Sequence, residues 1–214
     1  MKKNIEPFST FDIETIGWDK FLLLGVYDGQ DYSEHKTMAD FIQYCFSSSN
    51  PNSVMYAHFG GIFDFIHIFS FLLSENTLPF EIILQGSKIL KFSIQNKKRK
   101  IDFIDSSGLF PFSLDTLTKS FDVEYKKLKE DVSKFTKITP QLRLYLKHDT
   151  IGLWQCLKKF ESSPYIDEIG LQLTRSGTSF KVYKEFFNSD LPFLTDEIKD
   201  FGRLAYFGGR TEIF

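Results

Sequence analysis

Four carboxylates and one phenol have the clearest chemical potential in this chain, and they fall in three short motifs. These motifs are Asp12-Ile13-Glu14, Phe63-Asp64 and Tyr145-Leu146-Lys147-His148-Asp149. Converging carboxylates repel one another and resist desolvation, so a fold tolerates them only where something offsets their charge. The usual offset is a pair of divalent metal ions about 4 Å apart, and such pairs cleave phosphodiesters. The motifs therefore predict a two-metal centre assembled from three distant segments.

Predicted secondary structure explains how the first two motifs could supply ligands. Strand alternation puts the side chains of Asp12 and Glu14 on one face of a strand and their apolar neighbours on the other. Asp64 falls in the first turn of a helix predicted over residues 62–73. Both motifs have an ordinary alternative: the strand end could emerge into water, and a carboxylate at a helix N-terminus gains from the helix dipole. Taken alone, the strand motif favours its alternative.

Asp149 interrupts an apolar stripe on the long helix predicted over residues 140–160. The stripe is formed by Leu142, Leu146, Leu153, Leu157 and Phe160. A carboxylate that faces the core is costly unless it is paired or coordinated, and Tyr145 lies one turn earlier on the same side. An Asp at the edge of the stripe, bonded to a buried amide, is the alternative. Because the other carboxylates need a partner, we expect Asp149 to be functional.

Lys129 is the candidate cation for this acidic group, because a lysine there could neutralise a phosphate. It stands in a lysine-rich stretch with Lys126, Lys127 and Lys134. Composition alone favours the alternative, in which Lys129 is one more solvated side chain. The stretch has no clear periodicity, so the sequence gives it no secondary structure.

Composition limits the class of protein. The chain has 214 residues, of which 42% are apolar and 25% charged, which is ordinary for one soluble globular domain. Most of its 25 phenylalanines must lie in the core. A net charge of −2 argues against a protein that coats DNA, yet it is compatible with a nuclease whose centre is acidic. Cys45 and Cys156 fit a reducing, intracellular compartment, and no apolar run is long enough to span a membrane.

The hydrophobic pattern predicts strands interspersed with helices. Strands are expected over residues 7–13, 20–27, 31–35, 53–57, 80–85, 88–95 and 100–105, and helices over 37–47, 62–73, 112–121 and 140–160. Thr139 is the expected N-cap of the last helix, which Pro140 opens. The segment Glu161-Ser162-Ser163-Pro164 predicts a domain boundary, which divides the chain into residues 1–162 and a helical extension over 163–214.

In this order, the three motifs resemble the exonuclease motifs of proofreading family B DNA polymerases, and most of all the protein-primed branch of phages and linear organellar plasmids. Tyr145-x-x-x-Asp149 resembles the tyrosine form of the third motif. Asp105-Ser106 resembles the start of a single-strand-binding segment, and Lys129-x-x-Val132 resembles a lysine motif of that branch. Tyr206-Phe207-Gly208-Gly209 resembles the junction between the exonuclease and polymerase halves, which makes residues 163–214 linker helices and the start of a polymerase domain.

Two positions depart from the family pattern. Phe59 stands where the second motif usually has an Asn that helps hold the primer end, and Ser107 stands where the single-strand segment usually has Leu. Both concern the grip on the terminal nucleotide rather than metal binding. The palm carboxylates and the nucleotide-binding lysine of a polymerase do not follow Gly209 in this sequence, so we expect no polymerisation by this chain.

The resemblance implies an α/β, ribonuclease H-like fold with a mixed sheet flanked by helices. It implies removal of nucleoside monophosphates from single-stranded 3′ ends of DNA, with two Mg²⁺ or Mn²⁺ ions as cofactors. The implied partners are the primer 3′ end and a terminal (priming) protein. We expect a monomer without membrane contact, in phage-infected cytoplasm or in a mitochondrion.

The resemblance also assigns roles to individual residues. Asp12, Glu14 and Asp149 would hold the first ion, and Asp12 with Asp64 the second. Tyr145 would orient the attacking water, and Lys129 would contact the scissile phosphate. The implied DNA-binding residues are Thr15, His58, Phe59, Phe63, Ser106, Tyr206, Gly208 and Gly209.

Two other interpretations stay open on the sequence. A catalytically impaired fragment could bind DNA or a terminal protein, and Phe59 in place of Asn gives this interpretation weight. The second is a stand-alone exonuclease that acts on RNA or DNA. The Tyr206-Phe207-Gly208-Gly209 tail argues against it, because a free-standing enzyme has no evident need for a polymerase junction.

Overall fold

A seven-stranded mixed sheet forms the centre of the protein, as seen in a computed structural model that describes residues 6–75, 78–131, 135–187, 195–198 and 200. Its strands are β1 (Phe8–Ile16), β2 (Lys20–Tyr27), β3 (Tyr32–His35), β4 (Val54–Ala57), β5 (Phe80–Gln85), β6 (Lys88–Gln95) and β7 (Lys100–Asp105). Their spatial order is β3-β2-β1-β4-β7-β6-β5. The central strands β1, β4 and β7 are parallel, and the other neighbours are antiparallel. The predicted strands are confirmed, and β1 continues past residue 13 to Ile16.

Helices cover both faces of this sheet. In the described part of the chain they are α1 (Met38–Phe46), α2 (Asp64–Glu75), α3 (Leu114–Ser120), α4 (Pro140–Glu161), α5 (Ile166–Ile169) and α6 (Arg175–Phe186). α2 begins at Asp64, later than predicted, because Gly60–Ile62 form a 3₁₀ turn and Phe63 has non-helical angles of φ −138° and ψ −75°. The expected cap of α4 is confirmed, since the Thr139 hydroxyl accepts from the backbone N–H of Leu142.

One face of the sheet packs on α1 and α2 through phenylalanine rings. Phe11, Phe41, Phe65, Phe92 and Phe103 are all fully buried. Phe103 lies at the centre of the group, with ring centroids 5.6 Å from Phe11 and 5.8 Å from Phe92. Burial of each such ring contributes about 1.5–3 kcal/mol. This layer therefore gives rigid support to the central strands, one of which has two of the predicted metal ligands.

The opposite face of the sheet packs on α3 and α4. The buried residues there include Tyr56, Ile104, Leu117, Leu153 and Leu157. The hydroxyl of Thr10 donates to the carbonyl of Thr150 over 2.8 Å in the buried interior. This bond sets the position of α4 along β1, and it brings the residue before Thr150, which is Asp149, close to the carboxylates of β1.

In the described part of the extension after α4 lie α5 and α6, and the ring of Tyr165, just before α5, contacts that of Phe186 in α6. The division of the chain at residue 162 stays a prediction. Tyr206, Gly208 and Gly209 lie outside the described residues, as does Val132. Among the helices that the structure describes, none has the length and apolar character needed to cross a bilayer.

Candidate active site

Strand β1 presents Asp12 and Glu14 to one cavity. In the antiparallel pairing with β2, Asp12 lies opposite Gly25 and Glu14 opposite Leu23. The register shifts only after Glu14, so strand alternation continues through both acids. Both side chains line the same cavity, as the alternation predicts.

Asp64 is attached to β1 by a backbone hydrogen bond. The N–H of Ile13 donates to Asp64 Oδ1 over 2.9 Å, and Asp64 is only 2% exposed. Asp64 is also the first residue of α2, where the helix dipole favours a negative charge. Asp64 thus fits both interpretations, the metal ligand and the helix-terminal carboxylate, because it begins α2 and lines the cavity beside Asp12.

Helix α4 supplies the last carboxylate and the phenol. One carboxylate oxygen each from Asp12, Glu14 and Asp149 lies within 4.8 Å of the other two. With Asp64 and Tyr145 they line a cavity of about 530 Å³. The structure thus brings together the four carboxylates and the phenol that the sequence places in three separate segments.

This concentration of acid is electrostatically unfavourable without compensation. Burial, with repulsion from Asp149, raises the pKa of Asp12 to about 7. Burial, with repulsion from Asp12 and Asp149, raises the pKa of Glu14 to about 9. Burial also raises the pKa of Asp64 and of Asp149. At neutral pH the cluster must therefore share protons or gain positive charge, which is the condition expected of a cation site.

Lys127 supplies part of that positive charge. Its ammonium donates to the Tyr145 hydroxyl over 2.5 Å and also forms an ion pair with Asp149. Burial alone would lower the pKa of Lys127, but the Asp149 charge and the Tyr145 hydroxyl outweigh it and raise the pKa. Lys127 therefore stays charged at neutral pH.

The lysine expected at this site was Lys129, and the structure places it elsewhere. Lys129 is exposed, whereas Lys127 lines the cavity. The reason is the course of the segment after α3, which runs beside α4. There the Tyr125 N–H donates to Gln155 Oε1 over 3.0 Å, and His148 Nδ1 donates to the Lys126 carbonyl over 2.9 Å. These contacts turn Lys127 inward, and no local pattern in the sequence could have indicated it.

The donor set of this cavity fits divalent cations. Asp149 Oδ1 is buried and has no hydrogen-bond partner among the described residues, so one ligand atom is free for an ion. Each carboxylate offers oxygen, the ligand that Mg²⁺ and Mn²⁺ prefer. A buried, unpaired carboxylate oxygen is costly, and a bound cation would remove that cost.

Two of the expected DNA-binding residues contact each other beside the cavity. His58 Nε2 donates to the carbonyl of Phe112 over 2.7 Å, and Nδ1 lies 2.9 Å from the hydroxyl of Ser106. Burial lowers the pKa of His58, so its ring is neutral at neutral pH. His58 therefore joins the turn before α2 to the segment after β7.

Asp105, whose motif with Ser106 resembles the start of a single-strand-binding segment, holds the same two segments together. Asp105 is fully buried, and its carboxylate accepts from the backbone N–H groups of Gly61 at 3.1 Å and Ser107 at 2.8 Å. Lys88 lies 3.1 Å from the same carboxylate. Ser107 is one of the two departures from the family pattern. It is part of a buried polar network and is not exposed for contact with a DNA strand.

The other departure, Phe59, occupies a strained backbone position. Its φ of 59° and ψ of 20° lie in the left-handed region, which Asn and Gly tolerate better than Phe. Its ring lies 4.8 Å from His58 and 5.5 Å from the Lys88 ammonium. Phe59 lines the cavity, as do Thr15 and Phe63. Four of the expected DNA-binding residues line the cavity: Thr15, His58, Phe59 and Phe63. Ser106 does not line it but hydrogen-bonds to His58, which does.

Comparison with known proteins identifies the family of this chain. The chain matches the family described as DNA polymerase type B, organellar and viral, over residues 45–137 and 128–214. It is 26% identical over 222 residues to the DNA-directed DNA polymerase of Enterobacteria phage PRD1, covering 100% of this chain and 36% of that protein. It is 28% identical over 142 residues to a probable DNA polymerase of Ascobolus immersus, covering 58% of this chain and 12% of that protein. The chain thus spans about a third or less of these relatives.

Solved structures show the same fold. Phi29 DNA polymerase complexed with single-stranded DNA superposes with a TM-score of 0.75 at 19% identity, covering 94% of this chain and 39% of that chain. The Phi29 ternary complex with primer-template DNA and incoming nucleotides superposes with a TM-score of 0.73 at 19% identity, and the coverage of both chains is the same. The family B polymerase of Pyrobaculum calidifontis superposes with a TM-score of 0.59 at 14% identity, covering 81% of this chain and 27% of that chain. The expected ribonuclease H-like α/β fold is confirmed.

Proposed function

The chain belongs to the type B DNA polymerases of organelles and viruses, as an N-terminal region of the protein-primed branch, and we propose that it is the metal-dependent 3′–5′ proofreading exonuclease portion of such a polymerase. It removes nucleoside monophosphates from single-stranded 3′ ends of DNA. The observation that supports this proposal is the convergence of four carboxylates and Tyr145 in one cavity. The Phi29 neighbours were solved with single-stranded and primer-template DNA, which supports DNA as the partner.

The proposed cation ligands follow from the donor set. Asp12, Glu14 and Asp149 would hold one Mg²⁺ or Mn²⁺, and Asp12 with Asp64 would hold the second. When bound, such ions supply Lewis-acid activation of water and neutralise charge that develops on the leaving oxygen. The unpaired Oδ1 of Asp149 and the raised carboxyl pKa values support this assignment.

Tyr145 has the chemistry of a water-positioning group. Burial, with the charge of Asp149, raises its pKa, so the phenol stays protonated at neutral pH. Its oxygen accepts from Lys127, and its hydrogen bond with Asp149 keeps the hydroxyl beside the carboxylates. In the proposed reaction a water molecule attacks phosphorus, the bond to the 3′ oxygen breaks, and the shortened strand leaves with a 3′ hydroxyl. Tyr145 would hold the attacking water in line.

Lys127 takes the role that the sequence analysis gave to Lys129. Its ammonium compensates the charge of Asp149. Cations bound to the carboxylates would take over that compensation, so the ammonium could then contact the scissile phosphate. A fixed positive charge beside a phosphate stabilises the transition state more strongly in a partly buried site than in water.

The strand would be held by the residues around the mouth of the cavity. Thr15, Phe59 and Phe63 line it, and His58 with Ser106 fixes one side of it. Phe63 would contribute by stacking on a base. The roles of Tyr206, Gly208 and Gly209 at a polymerase junction, and of a terminal protein as partner, stay predictions.

The test is a double variant, Asp12→Ala with Glu14→Ala, assayed on 5′-labelled single-stranded DNA with Mn²⁺. We expect the ladder of shortened products to disappear while the thermal unfolding transition remains. A control that removes two exposed acids away from the cavity, Asp31→Ala with Glu75→Ala, should digest like the wild type. Digestion that persists in the Asp12 and Glu14 variant would refute the assignment. Oligonucleotide binding without any ladder from the wild type would favour a binding module instead.

A further inference from the structure

Trp18 is the most exposed large apolar side chain among the described residues, at 82% exposure. It lies in the turn between β1 and β2, just after the strand that holds Asp12 and Glu14. The turn is well defined, because Gly17 has a φ of 65° and the Thr15 hydroxyl donates to the Gly17 carbonyl over 2.6 Å. An indole that is largely open to water beside the candidate cavity offers a flat surface on which a base could stack.

Trp18 lies between two hollows. One is the cavity with the carboxylates, and the second, of about 330 Å³, continues along α2 past Ile66 and His67. Phe63 lines both hollows with it. The two rings meet edge to face, with centroids 5.8 Å apart and an interplanar angle of 74°. Phe63 therefore helps to orient the indole, most of whose surface stays open to solvent.

The charges around these hollows favour a nucleobase over a phosphate as the group bound at Trp18. Among its described lining residues the second hollow has neither lysine nor arginine, and Asp19 adds negative charge. In the carboxylate cavity, Lys127 is the only lysine or arginine of the described lining. Attraction of phosphates is therefore weak here, and affinity must come from stacking, which changes binding by about 5- to 150-fold per base.

We propose that Trp18 stacks on an unpaired nucleobase upstream of the terminal nucleotide, in the strand whose 3′ end lies among the carboxylates. The position of that 3′ end rests on the proposed exonuclease function; the stacking itself does not. Bases in a duplex are covered on both faces by their neighbours, so a free indole face selects unpaired DNA. Trp18 would thus be a positioning residue that favours frayed ends over paired ends.

The test uses the emission of Trp18 itself. The chain contains two tryptophans, and Trp154 is packed against Phe8 and Tyr27, so a Trp18→Phe variant gives the background signal. Titration with an oligothymidylate in Ca²⁺ should quench the wild-type emission and leave the variant unchanged. Measured by the fluorescence anisotropy of a labelled oligothymidylate, the dissociation constant should rise at least about fivefold in Trp18→Ala and be largely rescued in Trp18→Phe. Phe180→Ala, another exposed aromatic but on α6, should bind like the wild type.

A small substrate separates this inference from the proposed function. The p-nitrophenyl ester of thymidine 5′-monophosphate has one base and no second nucleotide to stack. Trp18→Ala should hydrolyse it at the wild-type rate while digesting oligothymidylate at least about fivefold more slowly at low concentration. A wild type inactive on both substrates, with quenching intact, would refute the exonuclease and support the stacking residue. Emission that does not respond to oligonucleotide, as for a protein-docking surface, would overturn the inference, as would wild-type binding by Trp18→Ala.

Discussion

Lys127 lies over Tyr145, with its Nζ 2.5 Å from the hydroxyl oxygen and 4.4 Å from the ring centre. The same ammonium forms an ion pair with Asp149. One cation thus compensates the buried acid and sets the orientation of the phenol. This arrangement links the acidic cluster to the lysine-rich stretch, for which the sequence predicts no secondary structure.

Replacement of Lys127 tests which lysine serves the site. Lys127→Ala should lower kcat/KM for digestion of single-stranded DNA by about 100-fold or more, because a preorganised charge beside the reacting phosphate is lost. Lys129→Ala should change it by about twofold or less, since an exposed charge is screened by solvent. The measurement is the initial rate on a 5′-labelled oligonucleotide. A larger loss for Lys129→Ala than for Lys127→Ala would restore the original assignment.

The raised carboxyl pKa values predict how stability depends on pH. The pKa of Asp12 is about 7 and that of Glu14 about 9 in the metal-free fold, against about 4 in an unfolded chain. Between these values the folded chain binds more protons than the unfolded chain, so the free energy of unfolding falls as the pH rises. Without divalent cations, the melting temperature should therefore decrease from about pH 4 to about pH 9.

Two comparisons isolate this contribution. Asp12→Asn with Glu14→Gln removes the titration, so its melting temperature should depend less on pH than that of the wild type. Saturating Mn²⁺ should raise the wild-type melting temperature most at high pH, because the ion replaces protons that are already lost. The outcome that contradicts this prediction is a wild-type melting temperature that rises with pH, relative to that of the double variant, when no metal is added. It would show that charge repulsion in the cluster does not destabilise the fold.

The left-handed conformation of Phe59 predicts a difference between two substitutions. Phe59→Ala and Phe59→Asn both remove the ring contacts with His58 and Lys88. Asn tolerates the φ of 59° better than Ala, so Phe59→Asn should be more stable by about 0.5–1 kcal/mol in urea unfolding. Phe59→Asn should also lower KM for single-stranded DNA, because it restores the amide that the family uses at the primer end. Equal stabilities would mean that the backbone relaxes at residue 59.

Gly61 has no room for a side chain. A Cβ at this position would lie 1.9 Å from the backbone carbonyl oxygen of Ile89. Gly61→Ala should therefore destabilise the fold by about 1–3 kcal/mol or more and shift the turn that leads to Asp64, with slower digestion. Gly177→Ala, in α6, meets only the hydroxyl of Thr174 and should cost less than about 1 kcal/mol. Urea unfolding midpoints and initial rates of digestion should be measured for both variants. If Gly61→Ala has wild-type stability and rate, β6 moves aside at little cost and the prediction is wrong.

Local patterns predicted most of the fold and much of the candidate site. The strand bounds follow the alternation of side chains, and Thr139 caps α4 as its type and position before Pro140 indicate. Asp149 was recognisable because it breaks an apolar stripe. These signals are readable because strand and helix periods act over a few residues.

The remaining features depend on contacts between distant segments. The motif around Asp105 does not indicate that its carboxylate is buried and bonded to Gly61 and Ser107. Trp18 looks like an ordinary turn residue until the ring of Phe63, from a different segment, is found 5.8 Å from it. Neither contact has a local signature, so neither role could be predicted from spacing.

The sequence by itself determined which groups could bind cations, because the acids of β1 and α4 occupy positions set by short-range periodicity. Only the tertiary structure decided that Lys127 rather than Lys129 meets them. The segment that follows α3 has no period of its own, and the described residues around Lys127 are positioned by the hydrogen bonds of Tyr125 and Lys126 to Gln155 and His148. Where backbone geometry is fixed by tertiary contacts, the direction of a side chain is decided by those contacts.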